Sequence, residues 1–157
     1  MAVSGLDMAE RSFGASFLMI ERARKHFREL EGLVAEYIAS NPVGLSASTE
    51  GRGYILHVTK VEPVPVEAGL IVGDIFHNLR SSLDLMACEL SGPAGKPDPD
   101  VWFPFCSKAS ELDDAIKQRN FDRAGPAAIK VLKDEIKPYR EGNAALRAIR
   151  VPSARTN

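Results

Sequence analysis

The side chains best suited to chemistry lie in one run of this sequence, residues 73–84. His77 supplies a base near neutral pH, Arg80 a fixed guanidinium and Asp84 a carboxylate. A neutral histidine accepts a proton from a ribose hydroxyl and a guanidinium holds a phosphate, which together meet the needs of metal-free RNA cleavage. Small polar residues gather on one side of a helix through this run, at about 100° per residue. We call this set the polar stripe: Asp74, His77, Asn78, Ser81, Asp84 and Cys88, with Arg80 beside His77.

Three interpretations of the polar stripe remain open at this level. It is the solvated side of an amphipathic helix, a buried network of hydrogen bonds between helices, or a ligand or catalytic site. Solvated helix faces favour long side chains such as Lys and Glu, whereas Asn78, Ser81 and Asp84 are short and poor helix formers. Short polar groups therefore favour a crowded interface or a site. A metal site is not predicted, because Asp74, His77 and Asp84 lack ligands from a second segment.

The amino-acid composition indicates which classes of protein the chain can belong to. The chain has 157 residues, 45% of them hydrophobic, which suits one globular domain. Its 20 Lys and Arg against 21 Asp and Glu provide no overall attraction to nucleic acid or membrane, so any RNA contact is local, as at the basic run 21–28. Two cysteines, no apolar run of membrane-spanning length and no leader-like N-terminus predict a cytoplasmic protein without disulfides. No Gly-rich phosphate loop and no two-His metal helix occurs in the sequence, so no cofactor is predicted.

A long amphipathic helix is predicted over residues 7–40. Asp7 and Glu10 have the spacing of a capping box, and Pro42 ends the helix because proline disfavours helical backbone in the residue before it. At 1.5 Å per residue the helix extends about 50 Å. Such a length requires a long partner helix or another subunit to cover its apolar side.

A β-hairpin and a second long helix follow. Two strands within residues 44–62 flank a Gly-rich turn, and the helix spans residues 67–91 before Gly92 and Pro93. Gly69 and Gly73 lie four residues apart in this helix, where each costs about 1 kcal/mol relative to alanine. Close approach of another backbone would account for both.

The C-terminal third is predicted to contain shorter elements. The apolar segment 101–105 folds back over the core, and helices begin near Ser110, Gly125 and Asn143. The expected fold is mainly α, within an α+β arrangement, as a single domain over residues 1–157. It is a bundle of two long antiparallel helices with a β-hairpin insert and short C-terminal helices.

Residues 73–84 resemble an uncharacterised family of bacterial and phage proteins. Its hallmark helix reads Gly-Asp and then His-Asn-Leu-Arg-Ser-Ala-Leu-Asp-His, against Gly-Asp-Ile-Phe-His-Asn-Leu-Arg-Ser-Ser-Leu-Asp here. Phe103-Pro104 and Ile136-Lys137-Pro138-Tyr139 are similar to two later landmarks of that family. The resemblance spans roughly residues 10–150 and carries no established activity.

The same hallmark resembles the Arg-x(4-6)-His signature of HEPN-type ribonucleases, helical bundles that pair to build one composite active site. After Arg80 the corresponding positions hold Leu85, Met86 and Ala87, so the signature's histidine is absent. The family also continues beyond the point where this chain ends, which is the pattern of a truncated or degenerate member. The resemblance therefore implies a protein that folds and binds without catalysing a reaction.

The leading hypothesis is a non-catalytic, HEPN-like binding or assembly module that forms a homodimer through its long helices. The alternative is a metal-independent RNA-cleaving enzyme with His77 as the base, Arg80 holding the phosphate and Asp84 orienting one of them. In the first case Asp74, Asn78 and Ser81 join these three in a polar interface or a pocket for RNA or a nucleotide. A membrane is not among the expected partners.

Overall fold

A computed structural model of the chain describes residues 13–92, 96–140 and 142. The described chain is mainly helical and contains one two-stranded antiparallel hairpin, which confirms the fold class. No helix in these ranges is long and apolar enough to cross a membrane. The longer elements are α1 (Gly14–Ala39), β1 (Val43–Glu50), β2 (Gly53–Val61), α2 (Val66–Ser91), α3 (Leu112–Gln118) and α4 (Gly125–Val131).

Helix α1 ends at the predicted place. Asn41 adopts a left-handed backbone with φ of 53° and Pro42 follows it, so the helix cannot continue. The Ser40 hydroxyl donates to the carbonyl of Tyr37 at 2.7 Å and satisfies one of the terminal acceptors. The predicted cap at Asp7 lies outside the described residues.

The hairpin forms because residues 51–52 make a tight turn. Gly51 has a positive φ of 59°, and a positive φ at the first of two turn residues is typical of a type II′ turn. The strands pair from Glu50 with Gly53 at the turn to Val43 with Val61 at the open end. The predicted hairpin at residues 44–62 is thereby confirmed.

Helix α2 begins directly after Pro65, whose carbonyl accepts a hydrogen bond from Ala68 at 3.1 Å. Glu67 lies in its first turn, where a carboxylate is favoured by the helix dipole. The helix ends as Gly92 donates its N–H to the carbonyl of Cys88 at 3.2 Å. This element coincides with the predicted helix 67–91 and carries every residue of the polar stripe.

The chain divides into two compact units. One is Leu18–Arg80, with most of α1, the hairpin and the first part of α2. The other consists of Met1–Phe17 and Ser81–Asn157, of which residues 13–17, 81–92, 96–140 and 142 are described. The single-domain organisation and the antiparallel packing of the long helices stay predictions.

A hydrophobic core lies in the unit that contains Ser81–Asn157. Phe103 is at its centre, with its ring 6.0 Å from that of Phe121 in an edge-to-face arrangement. The prediction that residues 101–105 fold back over the core is confirmed in part: Val101, Phe103 and Pro104 are buried, whereas Trp102 is 49% and Phe105 46% exposed. The cluster comprises Ala87, Val101, Phe103, Leu112, Ile116, Phe121 and Leu132.

Short helices surround this core. A 3-10 turn, Ala109–Glu111, leads into α3, and a second one, Phe121–Ala124, leads into α4. Helix α4 begins at Gly125 with Pro126 in its first turn, as expected from a residue that lacks the N–H. A π-helical turn, Leu132–Ile136, extends α4 and stops before Pro138. The predicted starts near Ser110 and Gly125 are confirmed, and the one at Asn143 lies outside the described residues.

Candidate functional site

The division between the two units falls within the polar stripe, between Arg80 and Ser81. Asp74, His77, Asn78 and Arg80 belong to Leu18–Arg80, whereas Ser81, Asp84 and Cys88 belong to the other unit. The stripe therefore has an N-terminal part and a C-terminal part.

In the N-terminal part, the structure separates side chains that the sequence grouped together. Asp74 and His77 are exposed, Arg80 is half-buried, and Asn78 is only 5% exposed. The Asn78 amide donates to the backbone carbonyl of Asp74 at 2.7 Å, one turn earlier in the helix. A buried amide needs such a partner, and this bond satisfies one donor of Asn78.

The other two histidines form local pairs in the same unit. The ring of His26 lies 3.2 Å from a carboxylate oxygen of Glu29, one turn later in α1. The ring of His57 lies 2.8 Å from the Ser48 hydroxyl, across the hairpin. Each of these pairs suits a structural role at the surface.

In the C-terminal part, the stripe fastens the segment that covers the core. Asp84 Oδ1 accepts the backbone N–H of Phe103 at 2.9 Å. One turn later, the Cys88 thiol donates to the carbonyl of Val101 at 3.2 Å, and the Cys88 carbonyl accepts the N–H of Asp98 at 2.9 Å. Together, Asp84 and Cys88 satisfy backbone groups of residues 98–103, of which Val101 and Phe103 are buried.

Sequence reasoning missed this anchoring role, although a signal for it exists. An irregular segment with the composition of residues 101–105 needs partners for its backbone groups once it is buried. Asp84 and Cys88 lie four residues apart on one side of α2, which is the spacing of two consecutive helical turns. Polar side chains at that spacing are suited to hold an extended chain along the helix.

The two cysteines are poor candidates for a nucleophile. Burial raises the pKa of the Cys88 thiol above its ordinary value, and the carboxylates of Asp84 and Asp98 raise it further. Burial likewise raises the pKa of Cys106, followed by the charge of Glu111. A thiol with a raised pKa holds little of the reactive thiolate at neutral pH.

One further carboxyl group on α2 has an unusual environment. Burial raises the pKa of Glu89, and its Oε2 atom has no hydrogen-bond partner in the described part of the chain. Glu89 lies one residue after Cys88, outside the stripe as the sequence predicts it. Over residues 13–92, 96–140 and 142, no group of three His, Cys, Asp or Glu side chains is placed to hold a metal ion.

No family model, curated protein or solved structure matches this chain. The function must therefore be argued from the geometry of the chain itself. In the C-terminal part of the stripe, that geometry assigns Asp84 and Cys88 to the support of the fold. In the N-terminal part, it leaves Asp74 and His77 exposed to a partner or a ligand.

Proposed function

We propose that this protein is a non-catalytic, HEPN-like binding or assembly module that acts as a homodimer, with its long helices packed antiparallel. The observation that carries the proposal is the exposed apolar surface of α2 within the unit Leu18–Arg80. Val66, Leu70 and Phe76 are 74%, 67% and 68% exposed. Ala23 is the one hydrophobic residue of that unit that is buried. Large exposed apolar patches are typical of protein interfaces.

Two glycines in α2 support close packing against another helix. A Cβ atom added at Gly69 or Gly73 would meet nothing within 4 Å. At about 100° per residue, Gly69 lies between Gly73 and Phe76 on the helix surface. Because Gly69 and Gly73 have no side chains, the helix surface beside exposed Phe76 lets a second backbone approach closely.

The exposed residues of the stripe have a place at this surface. His77 lies about 40° from Gly73 around the helix, and Asp74 lies farther round on the same side. Interfaces combine an apolar centre with a polar rim, and exposed Asp74, about 40° beyond Leu70 around the helix, suits such a rim. His77 lies between Val66 and Leu70 around the helix and so adds a polar group within the surface. A nucleotide or RNA would meet the same polar groups, so RNA binding by the dimer belongs to this proposal.

The alternative function is metal-independent cleavage of RNA. It assigns the base to His77, the phosphate contact to Arg80 and the orienting carboxylate to Asp84. One oxygen of Asp84 accepts the Phe103 N–H, and the histidine of the HEPN-type signature is absent after Arg80. These two observations favour assembly over catalysis.

The solution mass of the intact chain tests the proposal. We expect light scattering and sedimentation equilibrium to give twice the chain mass at micromolar concentration. Phe76→Glu should shift the protein toward monomer, because a carboxylate replaces an exposed apolar anchor. Lys25→Glu, which also adds negative charge at an exposed position of the same unit, should leave the dimer intact. A wild-type chain that stays monomeric up to about 100 μM, a high value for a specific complex, would overturn the proposal.

A further inference from the structure

The hairpin separates its apolar and polar side chains onto opposite faces. In an antiparallel ladder, residues paired across the strands lie on the same face, and alternate residues of each strand share it. The register pairs Leu45 with Val58 and Ala47 with Leu56. We call the face that contains these pairs the apolar hairpin face: Val43, Leu45, Ala47, Thr49, Tyr54, Leu56, Val58 and Val61.

A β-bulge extends this face to the open end of the hairpin. The register shifts between Gly44 and Leu45, so that Gly44 pairs with Lys60 and Val43 pairs with Val61. Thr59 is the extra residue of β2. In a regular strand, side chains alternate between the two faces, so Val58 and Val61, three residues apart, would lie on opposite faces. The extra residue brings them onto the same face.

The opposite face is mostly polar. It contains Ser46 paired with His57, and Ser48 paired with Ile55. The hydroxyl of Ser48 lies 2.8 Å from the ring of His57. This is the composition of a solvated face, whereas the apolar hairpin face has that of a face that packs against something.

Both faces are nevertheless exposed in the single chain. The six large side chains of the apolar hairpin face are between 51% and 80% exposed. An antiparallel sheet normally covers its apolar face, and an isolated two-stranded hairpin has little stability of its own in water. The hairpin therefore lacks a covering layer.

We propose that the apolar hairpin face packs against the same face of a second copy of this chain. The inference rests on the proposed homodimer and identifies a part of its interface. A two-fold contact buries the same patch on both copies, so the patch must complement itself. Two such faces form a small sandwich of two hairpins about 10 Å apart.

The area of the face fits this occupant. Aliphatic side chains of this size contribute roughly 60–120 Å² each and a tyrosine about 150–250 Å². Scaled by their exposed fractions of 51% to 80%, the six large side chains together supply roughly 300–600 Å², against about 800 Å² that each partner gives to a standard interface. The hairpin thus provides a large part of a stable dimer contact, and the exposed apolar residues of α2 are available for the rest.

Charge and shape also suit self-association. The apolar hairpin face has no Asp, Glu, Lys, Arg or His side chain, because the register places Glu50 and Lys60 on the opposite face. At the open end, Lys60 and Glu62 form an ion pair of 2.6 Å. A contact between two apolar hairpin faces therefore buries no charged side chain of those faces, and no charge has to lose its hydration. Ala47 beside Leu56 sets a small residue next to a large one, which allows the two faces to interdigitate.

Leu56→Glu tests the contact, with Ile55→Glu as the matched control. The two substitutions put the same carboxylate in place of an apolar residue at neighbouring positions on opposite faces. We expect Leu56→Glu to raise the dimer dissociation constant about 30-fold or more, and Ile55→Glu to change it about threefold or less. Circular dichroism with retained cooperative unfolding would establish that both variants fold.

The outcomes separate this inference from the proposed function. A wild-type dimer that Phe76→Glu dissociates and Leu56→Glu leaves intact would overturn the hairpin contact and keep the homodimer. Equal dissociation by Leu56→Glu and Ile55→Glu would also overturn it, since the effect would not belong to one face. A monomeric wild type would overturn both proposals.

Cysteine cross-linking tests direct contact between the two copies. Ala47→Cys lies near the centre of the apolar hairpin face and Ser46→Cys lies on the other face, with Cys88 and Cys106 present in both variants. Under mild oxidation we expect a covalent dimer with Ala47→Cys, at least about fivefold more than with Ser46→Cys, because a two-fold contact brings equivalent centres together. Equal yields from the two variants would contradict the packing.

Discussion

At the scale of single residues, Asp84 connects α2 to the core. Its Oδ1 atom accepts the backbone N–H of Phe103, a residue that is 1% exposed. When a buried N–H loses its acceptor, the free-energy cost of its desolvation is no longer offset by a hydrogen bond. The carboxylate that the sequence offers as a catalytic group thus has a structural task in the folded chain.

We expect Asp84→Ala to lower the free energy of unfolding by about 1–3 kcal/mol, because the Phe103 N–H remains buried without this acceptor. Asp84→Asn should cost less, since the amide oxygen can still accept. Urea unfolding at one fixed protein concentration measures the change. Asp74→Ala, at an exposed position of the same helix, should change stability by about 0.5 kcal/mol or less and serves as the control. Equal stability of the Asp84→Ala variant and the wild type would contradict the anchoring role.

At the scale of elements, α2 performs different tasks along its length. Its first part presents Val66, Leu70 and Phe76 to solvent, while its last part contributes Ala87 to a closed core. Gly69 and Gly73 fall in the exposed part. In an isolated helix they would be a net cost, so their presence is consistent with a second backbone against this surface.

We expect the double substitution Gly69→Ala and Gly73→Ala to raise the dimer dissociation constant about tenfold or more. The added methyl groups occupy the space that a second helix requires, although alanine favours a helix by about 1 kcal/mol per site. Gly32→Ala in α1 is the matched control, because a Cβ there also meets nothing within 4 Å. Sedimentation equilibrium gives the constants. A double variant that is more stable and equally dimeric would contradict a role for the two glycines in packing.

At the scale of the whole molecule, the charges are balanced, whereas the covering of apolar side chains is not. The formal net charge is −1 at pH 7, so the chain offers no overall attraction to a polyanion. Its apolar side chains, in contrast, are unevenly covered: Ser81–Asn157 contains a closed core, and Leu18–Arg80 exposes large aliphatic and aromatic groups. This unevenness is the pattern of a protein completed by association.

We expect the purified chain to leave single-stranded and structured RNA intact in the presence of a chelator. The physical reason is that Asp84 Oδ1 accepts the Phe103 N–H. The proposed resemblance to HEPN-type ribonucleases, whose histidine has no counterpart after Arg80, implies the same outcome. A variant with both His77→Ala and Arg80→Ala should be indistinguishable from the wild type in a gel-based cleavage assay. Cleavage by the wild type that disappears in this variant would establish the alternative function.

Local patterns in the sequence were sufficient for the elements. The period of polar and apolar residues located α2, and Pro42, Gly51 and Gly92 marked where elements end, because backbone restrictions act within a few residues. The apolar composition of segment 101–105 likewise predicted that it packs over the core, since such a composition does not suit full exposure to water. The mainly helical class with a hairpin followed from these signals.

Only the tertiary structure decided which side chains of the stripe are covered. At about 100° per residue, Phe76 falls with Ile75 and Leu79 on the apolar side of α2, and Asn78 falls on the polar side. In the folded chain, however, Phe76 is exposed and Asn78 is buried. Burial depends on what packs against each part of a helix, and a period in one segment carries no information about distant partners. The same holds for the apolar hairpin face. Alternation along the strands and the bulge determine which residues share this face. That the face is exposed depends on the rest of the fold, and only the tertiary structure gives it.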